Sequence, residues 1–246
     1  MTTKTRPTTT KLTARMEPFD SFWEAPDDLE KGYQTLFQFY KHNYLKHLPQ
    51  NKNARILVVS CGPGYFVNML SKEGYTNVLG IDSDPQKVQH ARAKGLDCVA
   101  EAAFPFLQQN LNAFDAIFCE CEINHLTKEE VLEFLQLCRE SLKEGGTIIF
   151  HSINGANPIT GMELFALNFD HYHSSTEYSL RQVLQYTNFR EIKVVPLKLY
   201  VFYSNPLNYV GMAVDGMLNL TFKVLFKFYG KSNRIFTKKI AAVARK

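Results

Sequence analysis

The chain has 246 residues, 45% of them apolar, and its 28 basic and 24 acidic side chains leave a net charge of +4. That is enough chain to bury a core, and too little charge, much of it gathered in the end stretches MTTKTRPTTTKLTAR and KSNRIFTKKIAAVARK, to make a nucleic-acid-binding face. Five cysteines without framework spacing, and no apolar leader ahead of the first helix, predict reduced thiols and a cytoplasmic protein.

Residues 1–15 are rich in threonine and lysine and are expected to form a flexible tail. In residues 16–50, Leu29, Tyr33, Leu36, Phe37, Tyr40, Tyr44 and Leu48 recur at three and four, which marks one face of a helix that Pro49 stops. From 51 onward the two periodicities alternate. ARILVVS reads as a strand, GYFVNMLSKEG as a helix closed by Gly74, and TNVLGID as a strand. DPQKVQHARAKG is a helix with Asp84 as N-cap, Pro85 in its first turn and Gly95 at its end. LDCVAEA and FDAIFCE are strands, followed by TKEEVLEFLQLCRESLKEGG as a helix opened by a Thr127–Glu130 capping box, and then by the strand TIIFHSI. TEYSLRQVLQYTNF is a helix, EIKVVPLKLYVFY a strand interrupted by Pro196, and KKIAAVARK the last strand. The pattern predicts an α/β, Rossmann-like, doubly wound sheet of seven strands, mostly parallel with the last antiparallel, and helices on both faces. Residues 51–246 would form this domain, with a helical insertion at 206–229.

In such a sheet the ligand sits beyond the carboxyl ends of the strands. SCGPGYF occupies that place after the first strand, and Asp82 follows 20 residues past Gly62, where its carboxylate suits both hydroxyls of a ribose. A dinucleotide loop needs a third glycine where Val67 stands, and Pro63 removes one backbone donor. No phosphate-binding G-x-x-x-x-G-K-[ST] occurs. An adenosine ligand other than a dinucleotide follows.

Between about Arg55 and Arg190 these motifs resemble those of the class I S-adenosylmethionine-dependent methyltransferases. ILVVSCGPG is similar to the family's V-L-D-x-G-C-G-x-G, with Val58 in place of the acidic residue and Ser60 in place of the first glycine. GIDSDPQKVQHAR resembles the second motif, which implies that Asp82 holds the ribose. In AEAAFPFL, Ala102 stands where an aspartate often meets the adenine amine, beside Glu101 and the backbone of Ala103. The stretch from Phe114 to Pro158, with His125 matching and Asn124 and Glu144 departing, resembles methyltransferases of cell-surface polysaccharide and glycan assembly. So does DHYHSSTEYSLRQVLQYTNFREIKV, where Asp170 and His173 keep a D-x-x-H spacing. The resemblance implies S-adenosylmethionine as cofactor, with Ser60, Gly62, Gly64, Asp82, Ser83, Ala103 and Cys119 contributing to its site.

Methyl transfer to a hydroxyl needs alignment and removal of a proton, which suits a histidine of near-neutral pKa. His125, His173 and Asp170 are the catalytic candidates, each weighed about evenly against a structural role, and His151, Ser152 and Asn154 are expected to line the acceptor pocket. Cys119, Cys121 and His125 lack a fourth ligand, so no metal is expected.

Three readings of function stay open. One is O-methylation of a sugar or glycan intermediate, another O-methylation of a small phenolic, quinone or natural-product acceptor, and the third a methyltransferase-like module without turnover. Segment 206–229 is apolar nearly all round, with Asp215, Asn219, Lys223 and Lys227 as a slanting polar stripe. Packing on the domain, a homodimer face, a lid over the acceptor and a peripheral membrane contact are its alternatives.

Overall fold

A computed structural model describes residues 26–120, 122–162, 171–201 and 205–246. Seven strands form one sheet in the order β3-β2-β1-β4-β5-β7-β6. They are β1 (Ile56–Val59), β2 (Val78–Asp82), β3 (Cys98–Ala100), β4 (Phe114–Glu120), β5 (Leu142–Ile153), β6 (Arg190–Pro196) and β7 (Lys239–Arg245). The first five run parallel; β7 lies antiparallel between β5 and β6.

Side chains alternate across this sheet, as strand geometry requires. Leu57 and Val59 enter one core; Ile56 and Val58 enter the other. The second core is covered by α1 (Pro26–Tyr44), α2 (Tyr65–Lys72) and α3 (Pro85–Ala93), the first by α4 (Ala103–Gln109), α5 (Lys128–Ser141) and α6 (Glu177–Tyr186). A seventh helix, α7 (Leu207–Phe228), precedes β7 and has no fully buried residue.

The capping signals act as expected. Asp84 accepts the Gln86 N–H at 2.8 Å with Pro85 behind it, and Thr127 and Glu130 close a reciprocal capping box. Three boundaries differ from those the sequence pattern predicts. Helix α5 stops at Ser141, because Leu142 turns extended and pairs with Phe114 at the start of β5. Strand β6 stops at Pro196, a residue that cannot donate to a ladder. Helix α4, absent from the predicted elements, starts at Ala103 inside a run too short and too proline-marked to show helical periodicity.

Gly64 carries the packing behind the cofactor-side loop. Its φ is +85°, and an added Cβ would lie 2.7 Å from Leu96 Cδ1 and 3.1 Å from Ala91 Cβ. Gly62, at φ +52°, has open space around the same point. Gly64→Ala is therefore expected to cost about 2 kcal/mol or more, from a left-handed backbone plus overpacking, and Gly62→Ala only the backbone part, about 1 kcal/mol. Thermal unfolding of the two variants reads the difference. Equal losses would show that the Leu96–Ala91 contact does not matter.

Candidate active site

The carboxyl ends of β1, β2 and β3 are tied together through one residue. Asp82 Oδ2 accepts the Gly62 N–H at 2.8 Å and Oδ1 accepts the Asp84 N–H at 2.9 Å, while its carbonyl accepts the Glu101 N–H at 3.0 Å. The carboxylate is thus held by the backbone of the glycine loop on one side and of the α3 cap on the other. Each carboxylate oxygen has two lone pairs, so these bonds leave the chemistry of hydroxyl recognition intact.

The loop itself is wound through left-handed backbone. Ser60, Gly62 and Gly64 have φ of +54°, +52° and +85°. For Ser60 this conformation costs about 1 kcal/mol, which explains why a glycine is usual at its position. Cys61 N–H donates to Ile81 carbonyl and Gly64 N–H to Cys61 carbonyl, closing the turn. Behind it, Cys61 and Cys98 share a hydrogen bond that, with burial, pushes the Cys61 thiol up, and Gly80 supplies the room, since a Cβ there would meet both sulfurs below 3 Å. Helix α1 closes the loop from outside. Tyr33 donates its hydroxyl to the Pro63 carbonyl and packs edge-on against Tyr65. Burial pushes the Tyr33 pKa up to about 12, so the phenol remains a donor.

Val58, set where an acidic residue is usual, is 1% exposed in the core that holds Tyr40, Tyr44, Phe66 and Phe118. A carboxylate among these rings would be desolvated without a partner, so valine is the residue this packing accepts.

A second group of side chains gathers at the carboxyl ends of β4 and β5. The 3-10 turn Glu122–His125 follows β4, and the segment from His171 docks on it through a Tyr172 N–H donated to the Asn124 carbonyl at 3.0 Å. The His125 and His171 rings meet edge to face with centroids 4.6 Å apart. His173 hydrogen bonds to the backbone at Ile123 and Ser174, and its Nε2 is buried without a hydrogen-bond partner among the described residues. Burial, with the nearby Lys128 charge adding to it, lowers its pKa from the ordinary 6.5. Asn124 is 1% exposed, accepts the Ser152 hydroxyl at 2.9 Å and leaves its own Nδ2 without a partner. Strands β2 and β4 flank β1, so the Asp82 and histidine sides of the site stand about 10 Å apart across the sheet edge.

The expected site residues fall into distinct places. Ser60, Gly62, Gly64 and Asp82 form one loop-and-carboxylate unit, Ser83 is exposed beside it, and Ala103 opens α4 at a helix start without a side-chain cap. Cys119 shares the edge, paired with Val59, but its thiol is shut in the apolar core, so only its backbone can face a ligand. His125 packs on His171, two positions before His173 on the docked segment; Asp170 and Cys121 lie outside the described residues. His151, Ser152 and Asn154, expected to line the acceptor pocket, are all fully buried and bonded within the domain. His151 stacks on Tyr44 and bonds its hydroxyl, Ser152 bonds Asn124, and Asn154 bonds the Ile235 and Thr237 carbonyls. The sequence pattern does not single out Tyr33 or His171: the first reads as one aromatic of a helical stripe, the second as a loop residue. Among the described residues no cluster of three metal-ligating side chains occurs.

This sheet order, with a glycine loop after β1 and an acidic residue closing β2, is the fold of the class I S-adenosylmethionine-dependent methyltransferases. Residues 56–146 match the family model described as a methyltransferase domain. A methyltransferase from Archaeoglobus fulgidus superposes with a TM-score of 0.65 at 20% identity, covering 87% of this chain and 94% of that one. A phosphoethanolamine N-methyltransferase from Haemonchus contortus, solved with S-adenosyl-L-methionine, superposes at 0.57 with 16% identity, over 97% of this chain and 57% of that one. Among curated relatives, the ubiquinone biosynthesis O-methyltransferase of Xylella fastidiosa is 29% identical over 142 residues, 55% of this chain and 56% of its own length. The human mitochondrial enzyme of that name is 28% identical over 131 residues, 47% of this chain and 35% of its own. The chain therefore spans about half, or less, of these relatives.

Proposed function

We propose that the protein is an S-adenosylmethionine-dependent O-methyltransferase acting on a small phenolic or quinone-type acceptor. The observation that carries the reading is the Asp82 carboxylate, aimed by the Gly62 and Asp84 N–H groups beside a left-handed glycine loop. The residues fit the cofactor: Asp82 would hold the ribose hydroxyls, the Ser60–Gly64 backbone the methionine end, and the Ala103 backbone the adenine. When bound, S-adenosylmethionine supplies a methyl group on a positively charged sulfur.

The chain's own contribution is alignment and proton removal. His173, neutral near pH 7 because burial lowers its pKa, would take the acceptor hydroxyl proton on Nε2. Buried polar atoms are nearly always bonded, so Asn124 Nδ2 and His173 Nε2, two of the six buried side-chain atoms without a hydrogen-bond partner among the described residues and both on one docked pair of segments, support an acceptor-binding role. For the acceptor class, the named O-methyltransferases of ubiquinone biosynthesis favour a phenolic or quinone ring over the sugar suggested by the histidine motif.

The test is transfer of isotope-labelled methyl from S-adenosylmethionine to catechols and hydroxybenzoates carrying apolar tails, with nucleotide sugars and lipid-linked sugars in parallel. Labelled aryl ether is the expected product. Label on a sugar would restore the glycan reading, and cofactor binding without label on any acceptor would make this a binding module.

A further inference from the structure

Helix α7 is apolar on both sides and leaves most of its apolar surface outward. Its half-buried side carries Met212, Leu218, Phe222 and Phe226, the last two closing on Phe236, beside the polar Asn208, Asp215 and Asn219, and Gly211 lies against the Tyr200 ring. Its outward side is apolar along most of the helix: Val210, Val214, Met217, Leu220, Val224 and Phe228 are all exposed, Met217 by 62% and Phe228 by 86%, with Thr221 among them. At 1.5 Å per residue the Val210–Phe228 face is about 28 Å long. A contiguous apolar face of that size marks an interaction surface.

Charge decides what it meets. The helix has one carboxylate, Asp215, on the half-buried side, where burial pushes its pKa up. Its cations Lys223 and Lys227 are exposed along one border of the apolar face, and Lys231, Arg234 and Lys238 are exposed just beyond its end. Tyr209 stands near one end, Tyr229 at the other, and both are exposed. Apolar face, cationic border and terminal aromatics together fit the boundary of an anionic bilayer. No helix among the described residues is long and apolar enough to cross a membrane, which leaves the in-plane geometry.

We infer that α7 is an interfacial membrane anchor, which lays its Val210–Phe228 face into an anionic lipid surface with Lys223 and Lys227 at the headgroups. The inference does not depend on the proposed acceptor, and its readout requires no turnover. The full chain is sedimented with vesicles of phosphatidylcholine alone and of phosphatidylcholine mixed with phosphatidylglycerol. Binding to the mixed vesicles is expected, weakened about tenfold or more by Met217→Glu with Leu220→Glu, by Lys223→Gln with Lys227→Gln, and by raised salt. Unchanged far-ultraviolet dichroism and S-adenosylhomocysteine affinity in both variants show that they fold. The inference is overturned if the chain ignores mixed vesicles, if neither variant loses binding, or if light scattering shows a homodimer that the two glutamates dissociate.

Discussion

Replacing Asp82 with alanine is expected to weaken binding of S-adenosylmethionine and of its demethylated product at least a hundredfold in a calorimetric titration. Hydrogen bonds to a charged acceptor are worth about 1.5–3 kcal/mol each, and the proposed ribose contact makes two, so losing both costs about 3–6 kcal/mol. The substitution also strips the acceptor from the Gly62 and Asp84 N–H groups, and with it the tie between the glycine loop and the α3 cap. Asp82→Asn separates these effects. It keeps an oxygen for one N–H and should retain more of the loop's order, while losing the charge that the hydroxyls meet. A loss below about fivefold in the alanine variant would place the ribose elsewhere and remove the main support for the cofactor site.

The features legible in the amino-acid sequence are those that chain-local geometry controls. The glycine loop, Asp82, the Asp84 cap and the Thr127 box depend on spacings of a few to 20 residues, and all of them form as expected. The mostly parallel seven-stranded sheet with its antiparallel last strand follows from the alternation of strands and helices, which is also a property of the chain. Contacts between distant segments are another matter. His151 reads as a cleft residue because it closes a strand at the functional edge, but α1, more than a hundred positions earlier, lays Tyr44 over it. His171 gains a role only when its segment docks on Asn124, 47 positions earlier (171 − 124).

Helix α7 shows the same limit in another form. Its polar stripe is legible, but periodicity identifies the face and not which way it points. An apolar face is usually turned inward because burial lowers free energy. Here the inward side holds Asp215 and Asn219 beside Phe222 and Phe226, and a second apolar face is left outward, which the pattern alone does not tell apart from the first. In α4 the difficulty is length: a helix of seven residues with Pro105 inside gives no repeating pattern to detect. Val58 and Ser60, departures from the family motif, become understandable only with the aromatic cluster and the positive φ in view.

The histidine pair should divide cleanly in kinetics. His173→Gln is expected to lower kcat by about 10²- to 10⁴-fold, the range for loss of a positioned proton acceptor, with cofactor affinity unchanged within about twofold. His125→Ala should cost less, about tenfold, because His125 packs on His171 and supports the segment that carries His173. The pH dependence provides an independent check. Desolvation lowers the His173 pKa below 6.5, with Lys128 acting in the same direction and the backbone bonds at Ile123 and Ser174 opposing. The neutral ring is the competent base, so activity should rise with pH through a midpoint below 6.5, remain level above neutrality, and lose this limb in His173→Gln. A midpoint above 6.5, or a limb that survives the substitution, would assign the proton to another group, and a His125→Ala loss as deep as that of His173→Gln would move the base to His125.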